Sequence, residues 1–194
     1  MKSPLKKFVF YLSVVLMVPV LIMYWLLSIF HESDSLFSSF SQILSLLPGK
    51  TGTYLRAGFY HFTLTLCSKD VVICFMVLLS QRDTEIESGV YIGPGCNIGR
   101  CKIGKNTLIG SSVHIMSGKG QHGFEDLNIP IKDQGGSFEK ISIGEDCWVG
   151  NGALILANIG NKCVVGAGSV VVNNVPDFSI VAGNPARVIN SRKN

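Results

Sequence analysis

The sequence predicts a mainly β protein, built as a solenoid of short strands and preceded by an apolar N-terminal segment. Two observations predict this architecture. Aliphatic residues recur at about every sixth position between Ile86 and Val171, and an uncharged run of 23 residues occupies positions 8–30. A third observation concerns function. The repeat stops for 25 residues, from Met116 to Lys140, and a loop of that length in a compact domain is usually functional or disordered.

The apolar run at residues 8–30 is long enough to cross a bilayer as a helix, which needs about 20 residues. It is too long for the core of a cleaved signal peptide, and no small-residue cleavage site follows it. Pro19 lies near its middle, where a proline kinks or breaks a helix. Two arrangements therefore stay open, a single hydrophobic membrane helix and a re-entrant hairpin. The hairpin is favoured.

The charges around this run and the cysteines predict different sides of the membrane for the main domain. Lys2, Lys6 and Lys7 precede the run, and Glu32 and Asp34 follow it, which would place the rest of the chain outside after a single crossing. The cysteines instead fit reduced thiols in a protein core, which favours a reducing compartment. A re-entrant hairpin satisfies both, because both flanks stay on one side. We therefore predict the inner (cytoplasmic) membrane, with the main domain facing the cytoplasm.

The rest of the chain divides by composition. Residues 31–50 are serine-rich and amphipathic, as in a helix lying on the bilayer surface, so residues 1–50 are predicted to be membrane-associating helices. Residues 51–83 are predicted to form a bridge and an irregular first coil. The repeat occupies residues 84–176, and residues 177–194 form a C-terminal tail.

Each six-residue unit supplies one bulky and one small residue two positions apart, and residues two apart in a strand point to the same face. Glycine follows eight of the twelve bulky positions, which permits close backbone approach near a turn. Three such units would close a triangular coil, and stacked coils would bury a continuous core. The bulky residues are Ile86, Ile92, Ile98, Ile103, Ile109, Ile115, Ile143, Val149, Ile155, Ile159, Val165 and Val171. The small positions include Cys96, Cys101, Cys147 and Cys163.

Composition argues against two classes of site. The net charge is +4, without a basic stripe, which argues against a nucleic-acid partner. The six cysteines include no Cys-x-x-Cys pair, so the spacing of a zinc site is absent. Four of them occupy the small inward position, where they act as core thiols rather than as ligands or nucleophiles.

Three motifs carry a family resemblance: Ile-Gly-Glu-Asp-Cys-Trp-Val-Gly at 143–150, Val-Gly-Ala-Gly-Ser-Val-Val at 165–171, and Ala-Gly-Asn-Pro-Ala-Arg at 182–187. Over residues 84–190 the chain resembles the hexapeptide-repeat acyltransferases. The resemblance implies a left-handed parallel β-helix, acetyl-CoA as co-substrate without a metal, and a homotrimer with sites between subunits. Residues 48–56 and the Ser-Gly-x-x-Gln-His run at 117–122 are similar to membrane-associated members that modify cell-surface saccharides.

Transfer of an acyl group to a hydroxyl needs a base, and histidine is suited to that role near neutral pH. His31 follows the membrane segment and His61 lies in the bridge, while His114 should point outward from a strand beside Ile115. His122 begins the loop, where the family resemblance places the catalytic histidine, so His122 is the predicted base.

The predicted acceptor pocket adds Lys119, Gln121 and Trp148, although Trp148 fits equally well as a packing residue at a coil corner. A carboxylate that orients His122 would fix its tautomer. Three residues remain candidates for that carboxylate: Glu125, Asp126 and Glu145.

The resemblance also implies positions for coenzyme A. Asn151 and Ala167 match contacts to the pantetheine arm. Asn173 stands where many members carry a lysine near the phosphates. Arg187 matches an arginine near the nucleotide phosphates, and a guanidinium suits phosphate geometry.

The predicted function is an acetyl-CoA-dependent O-acetyltransferase acting on a saccharide hydroxyl, in cell-surface polysaccharide or lipid-linked glycan biosynthesis. A non-catalytic β-helix that scaffolds a membrane assembly is the alternative. A metal-dependent hydratase on the same fold would need three histidines at fixed spacing, and only His114 and His122 lie in the repeat and its loop.

Overall fold

The computed structural model describes residues 4–31 and 33–193, so Lys2 and Glu32, used above for orientation, lie outside the described residues. Three helices come first. They are α1 (Pro4–Leu27), α2 (Ser33–Ser45) and α3 (Gly49–Thr63). Short strands follow, and they wind into three mainly parallel sheets. The prediction of a mainly β, parallel β-helix is confirmed.

Each coil passes through the three sheets in turn, so the sheets form the sides of a triangular prism. Sheet A contains β1 (Leu66–Cys67), β4 (Glu85–Ile86), β7 (Cys101–Ile103) and β10 (Ile141–Ile143). Sheet B contains β2 (Val72–Ile73), β5 (Tyr91–Ile92), β8 (Leu108–Ile109), β11 (Trp148–Val149), β13 (Val164–Val165), β15 (Ser179–Gly183) and β16 (Ala186–Ser191). Sheet C contains β3 (Leu78–Leu79), β6 (Asn97–Ile98), β9 (His114–Ile115), β12 (Leu154–Ile155) and β14 (Val170–Val171). Only the β15–β16 pair is antiparallel among the described strands.

The interior of the prism is built as the repeat predicts. All twelve bulky positions are buried, and the four predicted core cysteines are buried and unpaired. The thiol of Cys96 donates to the Gly110 carbonyl at 3.0 Å, and the thiol of Cys147 donates to the Gly160 carbonyl at 3.1 Å. Coils also touch closely at glycine, since a Cβ on Gly104 would lie 2.6 Å from the carbonyl carbon of Gly144.

Helix α1 runs without a break through Pro19, so the predicted re-entrant hairpin is wrong. Pro19 lies on the exposed side of the helix, while the opposite side packs along α3. That packing holds the helix together at the turn where the proline removes one hydrogen bond. Within the described residues, α1 is the one helix long and apolar enough to cross a membrane.

Helices α2 and α3 cover the open edge of the first coil, β1–β3. The Leu79 amide donates to Ser41 Oγ at 2.8 Å, and the Met76 amide donates to the Ser45 carbonyl at 2.9 Å. Arg56 of α3 donates from Nε to the Ile73 carbonyl at 3.0 Å. These helices therefore supply hydrogen-bond acceptors, from Ser41 and Ser45, and a donor, from Arg56, to the edge that a preceding coil would have covered.

Candidate functional site

The extruded loop, residues 116–140, leaves the prism at one corner. It follows β9 of sheet C and precedes β10 of sheet A. Its two arms pair through backbone hydrogen bonds, from Glu139 to Ser117 and from Ser137 to Gly120. A Cβ on Gly136 would clash with the Gln121 carbonyl oxygen, so only glycine allows this approach of the arms.

The base of the loop is held by charged side chains. Arg100 donates from Nη1 to the Phe138 carbonyl at 3.2 Å, and its amide donates to Ser117 Oγ at 2.8 Å. Asp83 accepts from Arg100 and, at 2.6 Å, from Lys140 Nζ. Hydrogen bonds from Lys140 and then Arg100 lower the pKa of Asp83. Both arms are therefore fixed to the prism where they leave it.

Sequence reasoning missed this charged cluster. Asp83, Arg100 and Lys140 each come directly before the small inward residue of sheet A in successive coils. They therefore stack along one edge although 57 positions separate Asp83 from Lys140. A comparison of the same position in each coil would have brought out the opposite charges.

At the tip of the loop, the Gln134 side chain closes a compact turn. Its Nε2 donates to the carbonyls of Asp126 and Ile129, each at 2.8 Å, and its Oε1 accepts from the Asp126 amide at 3.2 Å. Ile131–Asp133 form a single 3-10 turn beside it. The tip is ordered by its own hydrogen bonds and exposes apolar side chains, including Leu127, which is 95% exposed.

His122 lies on the first arm with its side chain exposed. Nearby, Lys119 Nζ donates to the Val172 carbonyl at 2.8 Å, and Gln121 Nε2 donates to the Gly118 carbonyl at 3.3 Å. The contact to Val172 draws the first arm toward the later coils, beside Asn173. The His122 ring is therefore presented at the surface of the C–A corner.

The candidate carboxylates do not reach this ring. Glu125 Oε2 accepts from the Phe124 amide at 3.0 Å, and Asp126 Oδ1 accepts from the Asn128 amide at 2.8 Å. Across residues 4–31 and 33–193, no hydrogen bond or ion pair joins the His122 ring to another group. Which carboxylate, if any, orients the base therefore stays a prediction.

The other histidine of the repeat, His114, points outward from β9 and is exposed. It lies in a row on sheet C between Asn97 and Leu154. His114 therefore lies outside the loop, at the surface position that strand alternation predicts.

The residues predicted to hold coenzyme A and the acceptor lie at three places. Asn151 and Ala167 stack at the corner between sheets B and C, where Asn151 Oδ1 accepts from the Ser111 amide at 2.9 Å. Asn173 lies at the C–A corner, next to the loop contact at Val172. Arg187 is on β16, and Trp148 points outward from sheet B, 56% exposed.

A single chain therefore does not bring all of these residues together. In a triangular coil, the C–A corner with His122 faces away from sheet B with Trp148. Lys119, Gln121 and Asn173 share the corner of His122, whereas Asn151 and Ala167 share another. In the part of the chain that the structure describes, no cluster of three or more His, Cys, Asp or Glu side chains could hold a metal ion.

Comparison with known proteins agrees with this architecture. The family model described as bacterial transferase hexapeptide (six repeats) matches residues 83–118. A probable acetyltransferase of Mycobacterium tuberculosis is 36% identical over 94 residues, which cover 47% of this chain and 31% of the relative. Residues 83–118 thus carry the hexapeptide repeat of bacterial transferases. The chain aligns with only about a third of the length of that relative.

Solved structures share the fold of this chain. A maltose O-acetyltransferase from Clostridium difficile 630 has a TM-score of 0.62 at 19% identity, covering 83% of this chain and 87% of its own. A hexapeptide-repeat acetyltransferase from Vibrio cholerae also has a TM-score of 0.62 at 19% identity, covering 85% and 96%. AntD, an N-acyltransferase from Bacillus cereus in complex with dTDP and 3-hydroxybutyryl-CoA, has 0.52 at 20% identity, covering 64% and 70%.

Proposed function

We propose that the protein is an acetyl-CoA-dependent O-acetyltransferase that acts on a saccharide hydroxyl, in cell-surface polysaccharide or lipid-linked glycan biosynthesis. The observation that carries the proposal is the rigidly anchored loop that presents His122 at the surface of a hexapeptide-repeat β-helix. The similar proteins, among them an acetyltransferase, a maltose O-acetyltransferase and an N-acyltransferase bound to an acyl-CoA, support this chemistry.

The proposed reaction is direct transfer. His122 removes the proton of the acceptor hydroxyl, and the oxygen attacks the thioester carbonyl. The tetrahedral intermediate collapses, the C–S bond breaks, and the departing thiolate takes the proton from the imidazolium. Backbone N–H groups of glycine-rich turns are suited to stabilise the oxyanion. No covalent enzyme intermediate is needed, in keeping with core cysteines whose pKa is raised by burial, to about 12 for Cys101.

The distribution of the site residues supports assembly as a homotrimer. His122 leaves the C–A corner, and Trp148 faces outward from sheet B on the opposite side. A pocket that contains both therefore takes one from each of two neighbouring subunits. In this arrangement Lys119, Gln121 and Trp148 line the acceptor pocket.

Coenzyme A occupies the groove between the same two subunits. Asn151 and Ala167 contact the pantetheine arm, with Asn173 nearer the phosphates. The Arg187 guanidinium is exposed apart from its bond to the Ala186 carbonyl, so it is available to a phosphate.

The proposed location is the inner membrane, with attachment through residues 8–30 and the β-helix in the cytoplasm. Six cysteines without a disulfide fit a reducing compartment. Membrane attachment would bring the enzyme close to a lipid-linked acceptor.

Labelled acetyl-CoA, the purified full chain and a panel of free and lipid-linked oligosaccharides test the proposal. We expect a base-labile acetyl ester on the glycan, and His122→Ala should lower kcat by at least about 100-fold. His114→Ala is the matched control and should retain turnover. Full activity of His122→Ala would overturn the assignment of the base. If the wild type neither transfers acetyl groups nor shows a thermal shift with coenzyme A, the non-catalytic scaffold is the correct function.

A further inference from the structure

Helix α1 has a protein-facing side and an outward side, and both are largely apolar. The protein-facing side is a stripe from Phe10 to Tyr24 that includes Met17 and Leu21. The outward side is between 48% and 69% exposed at each of its large apolar residues. These residues are Leu5, Phe8, Leu12, Val15, Leu16, Ile22, Met23 and Leu26.

The protein-facing side is in contact with α3 over most of its length. A Cβ on Gly58 would lie 3.3 Å from Ser13 Oγ and 3.5 Å from the Ser13 carbonyl carbon, so the two backbones nearly touch. The Phe10 ring lies 5.7 Å from His61, and the Tyr24 ring lies 5.5 Å from Phe59. These contacts cover about 21 Å of helix at 1.5 Å per residue.

This contact is incompatible with a helix that crosses the bilayer. Hydrocarbon surrounding α1 on all sides would also surround α3, which carries Lys50, Arg56 and His61. Ionisable groups at that depth are expensive and rare. The bilayer can, however, contact the outward side of α1 alone, without enclosing α3 and the rest of the chain.

Helix α1 also lies across the first coil instead of projecting from it. Lys69, in the corner after β1, lies 5.1 Å from the Tyr11 ring centroid and donates to its hydroxyl at 3.2 Å. Arg82, in the corner after β3, lies 5.3 Å from the Trp25 ring centroid. Two corners of the first coil thus meet two points of α1 that are 14 residues apart, which is nearly four full turns.

Tyr11 and Trp25 therefore lie on the same flank of α1, each beside a cation. Aromatic rings with a polar edge collect at the level of lipid headgroups, and basic side chains there are attracted to anionic lipids. Two copies of the chain joined through the outward side would bring two such flanks together, and the cations of one copy would repel those of the other. Anionic lipid headgroups would instead neutralise these cations, so an anionic bilayer fits this surface better than a second copy.

We propose that α1 lies in the plane of an anionic bilayer, with its outward side in the acyl boundary and the Tyr11–Lys69 and Trp25–Arg82 pairs at the headgroups. The chain is then monotopic, and the N-terminal end of its prism rests on the membrane surface. This deepens the membrane attachment within the proposed function. It stands apart from the acetyl-transfer chemistry.

Labelling of the two ends of α1 tests the geometry. Lys7→Cys, beside the Tyr11–Lys69 pair, and Ile29→Cys, just after the end of α1, are made singly in a Cys74→Ser background, because the other five cysteines are buried. The full chain is bound to preformed phosphatidylcholine–phosphatidylglycerol vesicles, and a membrane-impermeant maleimide is added outside. Both positions are expected to react without detergent. Protection of one position until detergent is added would mean a crossing helix and would overturn the proposal.

Flotation with the same vesicles tests the occupant of the outward side. Leu12→Glu with Ile22→Glu should lower the bound fraction at least tenfold. Val188→Glu with Ile189→Glu, apolar residues on β16 that are slightly more exposed than Leu12 and Ile22, should leave it unchanged. Lys69→Glu with Arg82→Glu should weaken binding more on anionic than on neutral vesicles.

Two results would overturn the proposal: flotation indifferent to the outward-side variant, or a wild-type dimer that does not float and that this variant converts to monomer. Acetyl transfer to a water-soluble acceptor, measured in parallel, reports on the proposed function alone. Failure of either proposal is therefore seen separately.

Discussion

Arg100 donates two hydrogen bonds to Asp83, from Nε and Nη2 to Oδ2 at 2.9 and 2.7 Å. This pair lies where the extruded loop leaves the prism. The third nitrogen of the same guanidinium reaches the Phe138 carbonyl of the returning arm. One side chain thus joins the second coil, the third coil and the loop. The geometry of the loop depends on an ion pair as well as on its own backbone.

Arg100→Ala should loosen the loop without touching the reacting atoms. If His122 is the base, as proposed, kcat should fall about tenfold, because misplacement of a catalytic group is costly, with the KM for acetyl-CoA little changed. Cleavage by a protease within residues 124–138 should become faster than in the wild type. Lys102→Ala, which removes weaker contacts to Glu85 and Glu87, is the control. Equal cleavage rates in Arg100→Ala and the wild type would contradict the anchoring role.

Acid should weaken the same anchor. Hydrogen bonds from Lys140 lower the pKa of both Asp83 and Glu85 in the folded protein, and Arg100 adds to the effect on Asp83. A carboxylate with a lowered folded pKa stabilises the fold above its unfolded pKa of about 4. That contribution is lost as the pH falls through the folded pKa.

Denaturant midpoints measured from pH 7 to pH 3 would show this loss. The wild type should lose stability below about pH 5, and Asp83→Asn should lose less over the same interval. Asp133→Asn, at the exposed loop tip, should follow the wild type. High salt should reduce the difference, because the side chain of Asp83 is 41% exposed and salt screens exposed pairs. Parallel curves for wild type and Asp83→Asn would argue against the anchor as the acid-sensitive element.

Arg56 should be among the most sensitive positions for stability. Its guanidinium is fully buried, with Nη1 donating to the Leu44 and Leu47 carbonyls at 3.0 and 2.6 Å and Nε donating to the Ile73 carbonyl. Arg56→Met leaves these acceptors buried without donors, at about 1–3 kcal/mol each. We expect unfolding free energy to fall by roughly 3 kcal/mol or more.

Lys50→Met is the matched control on the exposed start of α3, and it should change stability by about 0.5 kcal/mol or less. Amide exchange would locate the effect of Arg56→Met, which should be greatest in α2 and α3. Stability within the range of the control would mean that water replaces the guanidinium.

The core thiols should be unreactive in the folded protein. Burial raises the pKa of Cys67 and Cys101 to about 12, and that of Cys96 and Cys147 to about 11. A thiol reagent at pH 8 should therefore modify the half-buried Cys74 first. The remaining five should react only in denaturant, as counted by mass spectrometry. Rapid modification of any of these five in the native protein would contradict the core assignment.

A substitution in the turn at Lys162 should make the β-helix more stable. Lys162 has a φ of +57°, a conformation that costs a residue with a side chain about 1–2 kcal/mol. Lys162→Gly should raise the free energy of unfolding by about 0.5–1 kcal/mol, after the extra chain entropy of glycine is subtracted. Lys105→Gly, in the corresponding turn two coils earlier and outside the positive-φ set, should lower it. The same sign for both variants would contradict the strain argument.

The regular part of the β-helix was predictable because each coil repeats the same local chemistry. The inward positions, the core cysteines and the outward direction of His114 all follow from alternation in strands. The first coil was harder to recognise. Cys67, Ile73 and Leu79 keep the six-residue spacing, but none is followed by glycine.

Helix α3 was not predicted because its composition argues against a helix. Gly49, Gly52 and Gly58 and several threonines and aromatic residues have low helix propensity. The helix exists because Arg56, Phe59 and Tyr60 are buried against its neighbours. Only contacts distant in sequence could reveal it, and the same is true of the cluster around Asp83.

The cover that α2 and α3 place over the first coil has a consequence for synthesis. These helices leave the ribosome before the strands that they cover, and domains generally fold from the N-terminus during synthesis. Ser41 and Ser45 then offer hydrogen-bond acceptors to the strands that follow. Each new coil leaves the ribosome after the coil on which it packs has folded. The prism can therefore fold coil by coil in one direction, starting at the end that carries α1. Its last coil is closed by the antiparallel return of β16 on β15, which ends the growth.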